Sequence, residues 1–293
     1  MSDIHHNYTN GRAFAIGITL NLAFVVVEVF YGLVANSSAL LADAGHNASD
    51  VLGLFFAWLA FRLANLKPKG KYTYGWQRST ILSSIINAIL LFIAVYFIAK
   101  DAIFKLQHPS PVGGTSVMLV ATIGIVINTI TALMFLKDQK HDLNIKGAFL
   151  HMIADAAVSL GVVIAGLLIT LTGYQWIDPA VSFVIIAVVL WGTWRLFIDS
   201  LNLALDAVPK NINVQEVREA LQSFPGVEDT HDLHVWALST NQTALSVHLV
   251  VPGEGGDTFL ADVQKMLKKD FNISHTTIQI EKNINNSIEC SHS

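Results

Sequence analysis

The chain has 293 residues, 53% of them hydrophobic and only 14% charged, well below the roughly 25% charge usual in soluble domains. A formal net charge of −4 without a basic stripe excludes nucleic acid as a natural partner, and the lone cysteine, Cys290, excludes an intrachain disulfide. Charge is sparse up to residue 208 and denser beyond it, which predicts a membrane domain over 1–208 and a water-soluble domain over 209–293.

A spanning helix requires roughly 20 mostly apolar residues. Six segments supply them: Ala13–Val34, Ser38–Ala64, Arg78–Phe104, Thr115–Leu136, Ile145–Leu171 and Ile177–Leu205. Polar or turn-forming cuts separate them at Ala35–Ser37, Lys67–Gly75, His108–Gly114, Lys137–Asn144 and Thr172–Trp176. No basic leader or small-residue cleavage site accompanies the first segment, so it is expected to be a retained span and not a signal peptide. Lysine and arginine gather at the second and fourth cuts, as Arg62, Lys67, Lys69, Lys71 and Arg78, then Lys137, Lys140 and Lys146. Those loops are therefore expected in the cytoplasm, and with six spans so are both termini.

The second and fifth segments each carry His-x-x-x-Asp, as His46 with Asp50 and His151 with Asp155. Residues four apart share a helix face, and ionisable side chains in hydrocarbon mark function by default. Facing helices would present two imidazoles and two carboxylates, a tetrahedral N2O2 set suited to zinc. A polar network gluing the helices is the structural alternative, but such networks more often use Ser, Thr, Asn and Gln. The small residues Ala42, Ala44, Gly45 and Ala48 beside one pair, and Ala154, Ala156 and Ala157 beside the other, are expected to let the two backbones approach. Asp43, one turn before His46, is a candidate access or supporting carboxylate, and Glu28 and Asn87 are candidates to line a hydrated path.

After Pro209 the pattern predicts α-β-β-α-β. Asn213 with Glu216 has capping-box spacing ahead of a helix, Val227–Ser239 and Thr243–Val251 alternate as two strands, a helix opens at Asp257, and Ser274–Glu281 is a third strand. This reads as a small α+β sandwich with helices on one side of an antiparallel sheet. Strand alternation puts His234, His248 and Glu281 on the open face, with His275 toward its rim. His231 has the wrong parity unless a bulge reorients it. Two imidazoles and a carboxylate suffice for a metal site completed from elsewhere. In the polar tail Asn283–Ser293, Cys290 and His292 are further candidate ligands, as are His5 and His6 near the other terminus.

At these residues the chain resembles the cation diffusion facilitator family, in particular its zinc-transporting branch. The resemblance rests on Ser38-Ala39-Leu40-Leu41-Ala42-Asp43-Ala44-Gly45-His46-Asn47-Ala48-Ser49-Asp50, on His151–Asp155, on Asp232-Leu233-His234-Val235-Trp236, and on His275–Glu281. It implies a homodimer in a lipid bilayer, six spans per protomer, a cytoplasmic ferredoxin-like domain, and metal export coupled to inward proton movement. Matched by position, His46, Asp50, His151 and Asp155 are the transport site, of the type found in zinc-selective members that sometimes accept cadmium or cobalt. His234, His248 and Glu281 match the soluble-domain metal positions, while some bacterial relatives use the position of His231. Gln279 stands where some relatives have histidine, against a two-metal site. Lys67–Arg78 contains no His, Asp, Glu or Cys, so the loop site of some members is expected to be absent. Lys137–Lys146 contains only His141 in place of the His-rich loop of many eukaryotic members, which points to a bacterial inner-membrane protein.

The sequence reading is thus a Zn2+/H+ antiporter. A membrane zinc sensor that moves no metal and a monovalent cation/H+ antiporter are the rival classes. No acyl-transfer triad or phosphate-binding glycine loop stands in a convincing context, so an enzyme is not expected.

Overall fold

The structure, a computed structural model, describes residues 3–136, 143–253 and 255–283. Cys290, His292 and His141 lie outside the described residues, as do the side chains of His5 and His6. Six long helices come first: α1 Asp3–Val34, α2 Ser38–Ala64, α3 Ser79–Gln107, α4 Gly114–Phe135, α5 Leu143–Thr172 and α6 Ile177–Ala204. The remainder is α7 Val214–Gln222, β1 Asp229–Ala237, β2 Thr243–Val250, α8 Asp257–Phe271 and β3 Ile273–Glu281.

Among the described residues four helices are long and apolar enough to cross a membrane, namely α3, α4, α5 and α6. The apolar described part of α1, Thr19–Val34, is shorter. In α2 the charges of Asp43, Asp50 and Arg62 interrupt the apolar run. Large apolar side chains such as Phe61, Phe97, Leu171, Val184 and Trp191 are exposed, which hydrocarbon tolerates and water does not.

The chain divides into two compact units. The first, Met1–Phe55 with Ile86–Arg195, has a core of Phe24, Leu40, Val95, Val117, Val120, Val162, Ile185 and Ile186. Among the described residues its most extensive helix pairing is between α4 and α5. Gly114 and Gly166 make this approach possible, because a Cβ on either would lie 2.8 Å from the other's carbonyl oxygen. This is the small-residue packing that membrane helices use where hydrophobicity gives no drive to associate.

The second unit, Phe56–Ile85 with Leu196–Ser293, contains the sheet. Val217 and Leu221 of α7 and Val263 and Leu267 of α8 pack with Leu245, Val247, Leu249 and Ile273 into one core. Asn213 caps α7 by accepting from the Gln215 N–H at 3.0 Å, while its own amide donates to Glu216 at 2.9 Å. The capping residues are those foreseen, but Glu216 holds the cap's side chain instead of its backbone.

Two expectations are corrected. The sheet is mixed, in the order β1-β2-β3, with β1 antiparallel and β3 parallel to β2. A helical crossover, here α8, returns the chain in the direction it came from, whereas only the short turn between β1 and β2 reverses it. The alternation of β1 also breaks. Its register shifts between His231 and His234, and Asp232 adopts a left-handed φ of 51°, a conformation Asp tolerates better than most residues.

Candidate metal centres

α2 carries His46 and Asp50 one turn apart, and α5 carries His151 and Asp155 in the same way. The side chains cross between the helices: His46 Nε2 lies 3.3 Å from Asp155 Oδ1, and His151 Nε2 lies 3.3 Å from Asp50 Oδ2. The pairs within each helix are wider, at 3.9 Å for His46–Asp50 and 3.6 Å for His151–Asp155. The two imidazole rings meet edge to face at 6.3 Å.

Among the described residues His46, Asp50 and Asp155 present donor atoms close enough together to share an ion, while His151 stands outside that trio and touches it through Asp50 and Asp155. Tetrahedral zinc with N and O donors at roughly 2.0–2.1 Å has neighbouring donors about 3.3 Å apart. Exposure is graded across the set, from 1% at Asp155 through 22% at His46 and 26% at Asp50 to 42% at His151. The site therefore has a closed end on α5 and an open side at the neighbouring imidazole.

Two of the flanking small residues, Ala42 and Gly45, face helices other than α5. Gly45 faces α3, where a Cβ would lie 2.8 Å from Ile98 Cδ1, and Ala42 and Gly45 line a gap shared with Leu91, Val95 and Ile185. They admit α3 and α6 against α2, while long side chains bridge α2 to α5. Asp43 is fully buried and accepts from the Ser159 hydroxyl at 2.9 Å. Glu28 is fully buried and accepts from Asn47 at 2.9 Å, and Asn87 packs its amide on Gly53.

In the second unit the gathered residues are His231, His248 and Glu281. His231 Nε2 lies 3.3 Å from Glu281 Oε2, and His248 Nδ1 lies 3.0 Å from Glu281 Oε1. The bulge turns His231 onto the sheet face and across from His248, with ring centroids 5.2 Å apart. His234, expected in this trio, instead points to Asp232 Oδ1 at 2.9 Å and is 58% exposed. Asp232 also lies 3.7 Å from His248 Nε2. His275 stacks edge-on against Tyr74 at 5.5 Å, apart from the trio. Gln279 donates to Glu281 at 2.8 Å, so it orients a candidate ligand.

The trio fits a bound cation by the test of its orphaned atoms. Both ring nitrogens of His231 and Glu281 Oε2 are buried without a hydrogen-bond partner, a costly state that a metal would relieve. The signal sequence reasoning passed over was Asp232 itself, since an Asp in mid-strand is the residue to suspect of hosting a bulge.

Residues 14–203 match the family model described as the cation efflux transmembrane domain, and residues 209–283 match that of the cation efflux protein cytoplasmic domain. The chain is 33% identical to the "Cadmium, cobalt and zinc/H(+)-K(+) antiporter" of Bacillus velezensis, over 98% of this chain and 95% of that protein. It is 35% identical to the "Metal cation efflux system protein CzcD" of Cupriavidus metallidurans, over 94% and 88%. To the "Zinc transporter ZitB" of Shigella flexneri it is 35% identical, over 92% and 86%.

Proposed function

The chain belongs to the cation diffusion facilitator family of metal cation efflux transporters, and from that premise we propose that it exports Zn2+ from the cytoplasm in exchange for protons. The observation that carries this reading is the crossed pairing of His46 with Asp155 and of His151 with Asp50, each at 3.3 Å. Two imidazoles and two carboxylates favour zinc over manganese or magnesium, which prefer oxygen throughout. Cadmium and cobalt are the expected secondary substrates, in keeping with the printed name of the Bacillus velezensis relative.

In this reading six helices span the inner membrane of a bacterium, with both termini in the cytoplasm. Residues 1–208 form the transport domain. Residues 209–293 form a cytoplasmic ferredoxin-like domain that pairs two protomers, in line with the match to the family's cytoplasmic domain. His231, His248 and Glu281 hold a regulatory zinc there, and metal binding biases the dimer toward its transporting conformation.

Coupling follows from competition for the same atoms. Imidazole ligates zinc only when neutral, so zinc binding releases protons and protonation releases zinc. Facing the cytoplasm, His46, Asp50, His151 and Asp155 take up Zn2+ and give up protons. Facing outward, protons entering along their gradient reclaim the imidazoles and the ion leaves. Asp155, the most buried of the four, stays within reach of His46 and provides the anionic floor on which the cation rests.

Transport into sealed vesicles under an imposed pH gradient, compared among Zn2+, Cd2+, Co2+ and Mn2+, tests the proposal. Proton-driven zinc flux, with weaker cadmium or cobalt flux and negligible manganese flux, is the expected result. Zinc binding with no flux in any gradient would identify a sensor instead, and sodium-dependent flux indifferent to zinc would identify a monovalent antiporter.

A further inference from the structure

Between Asp50 and Asp101 the chain has no acidic residue, while Arg62, Lys67, Lys69, Lys71, Arg78 and Lys100 all fall within that stretch. Arg78 is neutralised by Asp206, and the Arg62 guanidinium lies over the Trp58 ring at 5.3 Å. Among the described residues Lys67, Lys69 and Lys71 form no ion pair, and all three are exposed. The loop that carries them, between α2 and α3, has a fixed shape. Gly70 and Gly75 adopt left-handed φ values of 58° and 69°, which only glycine takes at no steric cost. The Tyr72 N–H donates to the Lys69 carbonyl at 3.2 Å, the Tyr72 and Trp76 rings stack 4.5 Å apart, and Lys71 Nζ lies 5.4 Å from the Tyr72 ring. Tyr74 meets His275 edge-on at 5.5 Å, and the Thr80 hydroxyl accepts from the Thr240 N–H at 3.1 Å. The soluble domain thus engages the C-terminal half of the loop and not its lysines.

Lysines in a short loop orient a membrane protein by their charge alone, which requires neither an ordered loop nor aromatic rings. This loop has both. On its two sides Trp58, Phe61, Leu66 and Leu82 are each more than half exposed, apolar surface that suits hydrocarbon. The loop between them therefore lies where the headgroups begin. Tyr72, Tyr74 and Trp76 are exposed there too, and tyrosine and tryptophan are the side chains that favour that level. Lysine is a point charge without the planar fork that grips one phosphate through two atoms. Three of them spread over five residues suit a row of headgroups better than a single soluble phosphate. Each lysine beside an anionic bilayer surface strengthens association about fivefold. We propose that Lys67, Lys69 and Lys71 dock the α2–α3 loop on the headgroups of anionic phospholipids.

This inference is independent of zinc transport, and its test is a footprint joined to a binding measurement. Full-length protein is reconstituted in vesicles of phosphatidylcholine alone and of phosphatidylcholine mixed with phosphatidylglycerol, and its lysines are acetylated with an uncharged reagent. Mass spectrometry should find Lys67, Lys69 and Lys71 modified several-fold more slowly in the mixed vesicles. The exposed lysines of α8, Lys265, Lys268 and Lys269, should react equally in both. In detergent, short-chain phosphatidylglycerol should bind the protein about tenfold or more tightly than short-chain phosphatidylcholine. That preference should be lost in the loop variant Lys67→Gln with Lys69→Gln and Lys71→Gln. It should be kept in the matching α8 variant, Lys265→Gln with Lys268→Gln and Lys269→Gln. The footprint of the unaltered protein gives the answer even where the loop variant fails to fold. Equal acetylation of the loop in the two vesicles, equal protection of the α8 lysines, the same protection by free glycerol phosphate in phosphatidylcholine vesicles, or a preference that survives in the loop variant would each overturn the proposal.

Discussion

Asp178, the second residue of α6, caps α2 through Ser38. Its Oδ2 accepts from the Ser38 N–H at 2.6 Å, while its Oδ1 accepts from the Ser37 hydroxyl and, at 3.4 Å, from the Ala39 N–H. A buried carboxylate thus satisfies the orphan donors at the start of the helix that carries His46 and Asp50, and it meets the positive end of that helix's dipole. Ser38 is held from its other side by Asp101 at 2.5 Å, which in turn pairs with Lys105 at 2.8 Å. The helix that carries His46 and Asp50 is anchored at its first turn, two turns ahead of His46.

Replacing that anchor is predicted to cost stability more than metal chemistry. Asp178→Asn removes the charge from its hydrogen bonds, each worth roughly 1.5–3 kcal/mol when charge-assisted. The unfolding midpoint in detergent should fall, while the number of zinc ions bound per chain stays unchanged. Loss of zinc binding in protein that remains folded would show that Asp178 does more than hold the helix.

The glycine contact between α4 and α5 makes a second prediction. Gly166→Ala drives a methyl group to 2.8 Å from the Gly114 carbonyl oxygen, a backbone atom that cannot rotate away. Overpacking of this kind costs about 1–3 kcal/mol, so thermal stability should drop. Gly161→Ala, where nothing lies within 4 Å of the added carbon, should leave it unchanged. Equal midpoints for the two variants would contradict the packing described.

What could be read in advance followed from periodicity. His46 with Asp50, and His151 with Asp155, were legible because four residues of helix bring side chains onto one face whatever surrounds them. The mixed sheet and the choice of His231 over His234 were not, because both depend on departures from regular alternation. One unusual φ at Asp232 flips every parity before it, and strand direction depends on the path of α8. Ala42 and Gly45 of α2 were legible as a sign of packing but not of their neighbours, which are side chains of α3 and α6.

That bulge gives a prediction that separates two assignments. In a background lacking His46 and Asp50, His231→Ala should weaken the zinc affinity of the remaining site by more than about tenfold, as the loss of a direct ligand must exceed the 10–100-fold typical of supporting residues at its lower end. His234→Ala should weaken it less, because His234 pairs with Asp232 and not with the trio itself. Isothermal titration of the full-length protein decides between them, and a larger effect at His234 would restore the regular-strand reading.

Zinc binding to the membrane site should weaken as pH falls. Protons and zinc compete for His46 and His151, so binding is favoured where imidazole is neutral and lost as acid protonates it. Zinc added to weakly buffered protein should release protons, and variants lacking both imidazoles should release fewer. Proton release unchanged by His46→Ala with His151→Ala would place the coupling elsewhere.

The most direct test is zinc uptake into proteoliposomes driven by an imposed pH gradient, with Asp155→Asn compared against the unaltered chain. The change keeps the shape of the most buried residue of the four and removes the charge that faces His46. Uptake should fall by about 100-fold or more while the protein stays folded and its cytoplasmic site still binds zinc. Proton-driven zinc flux undiminished in Asp155→Asn would contradict the claim that these four side chains carry the transported ion.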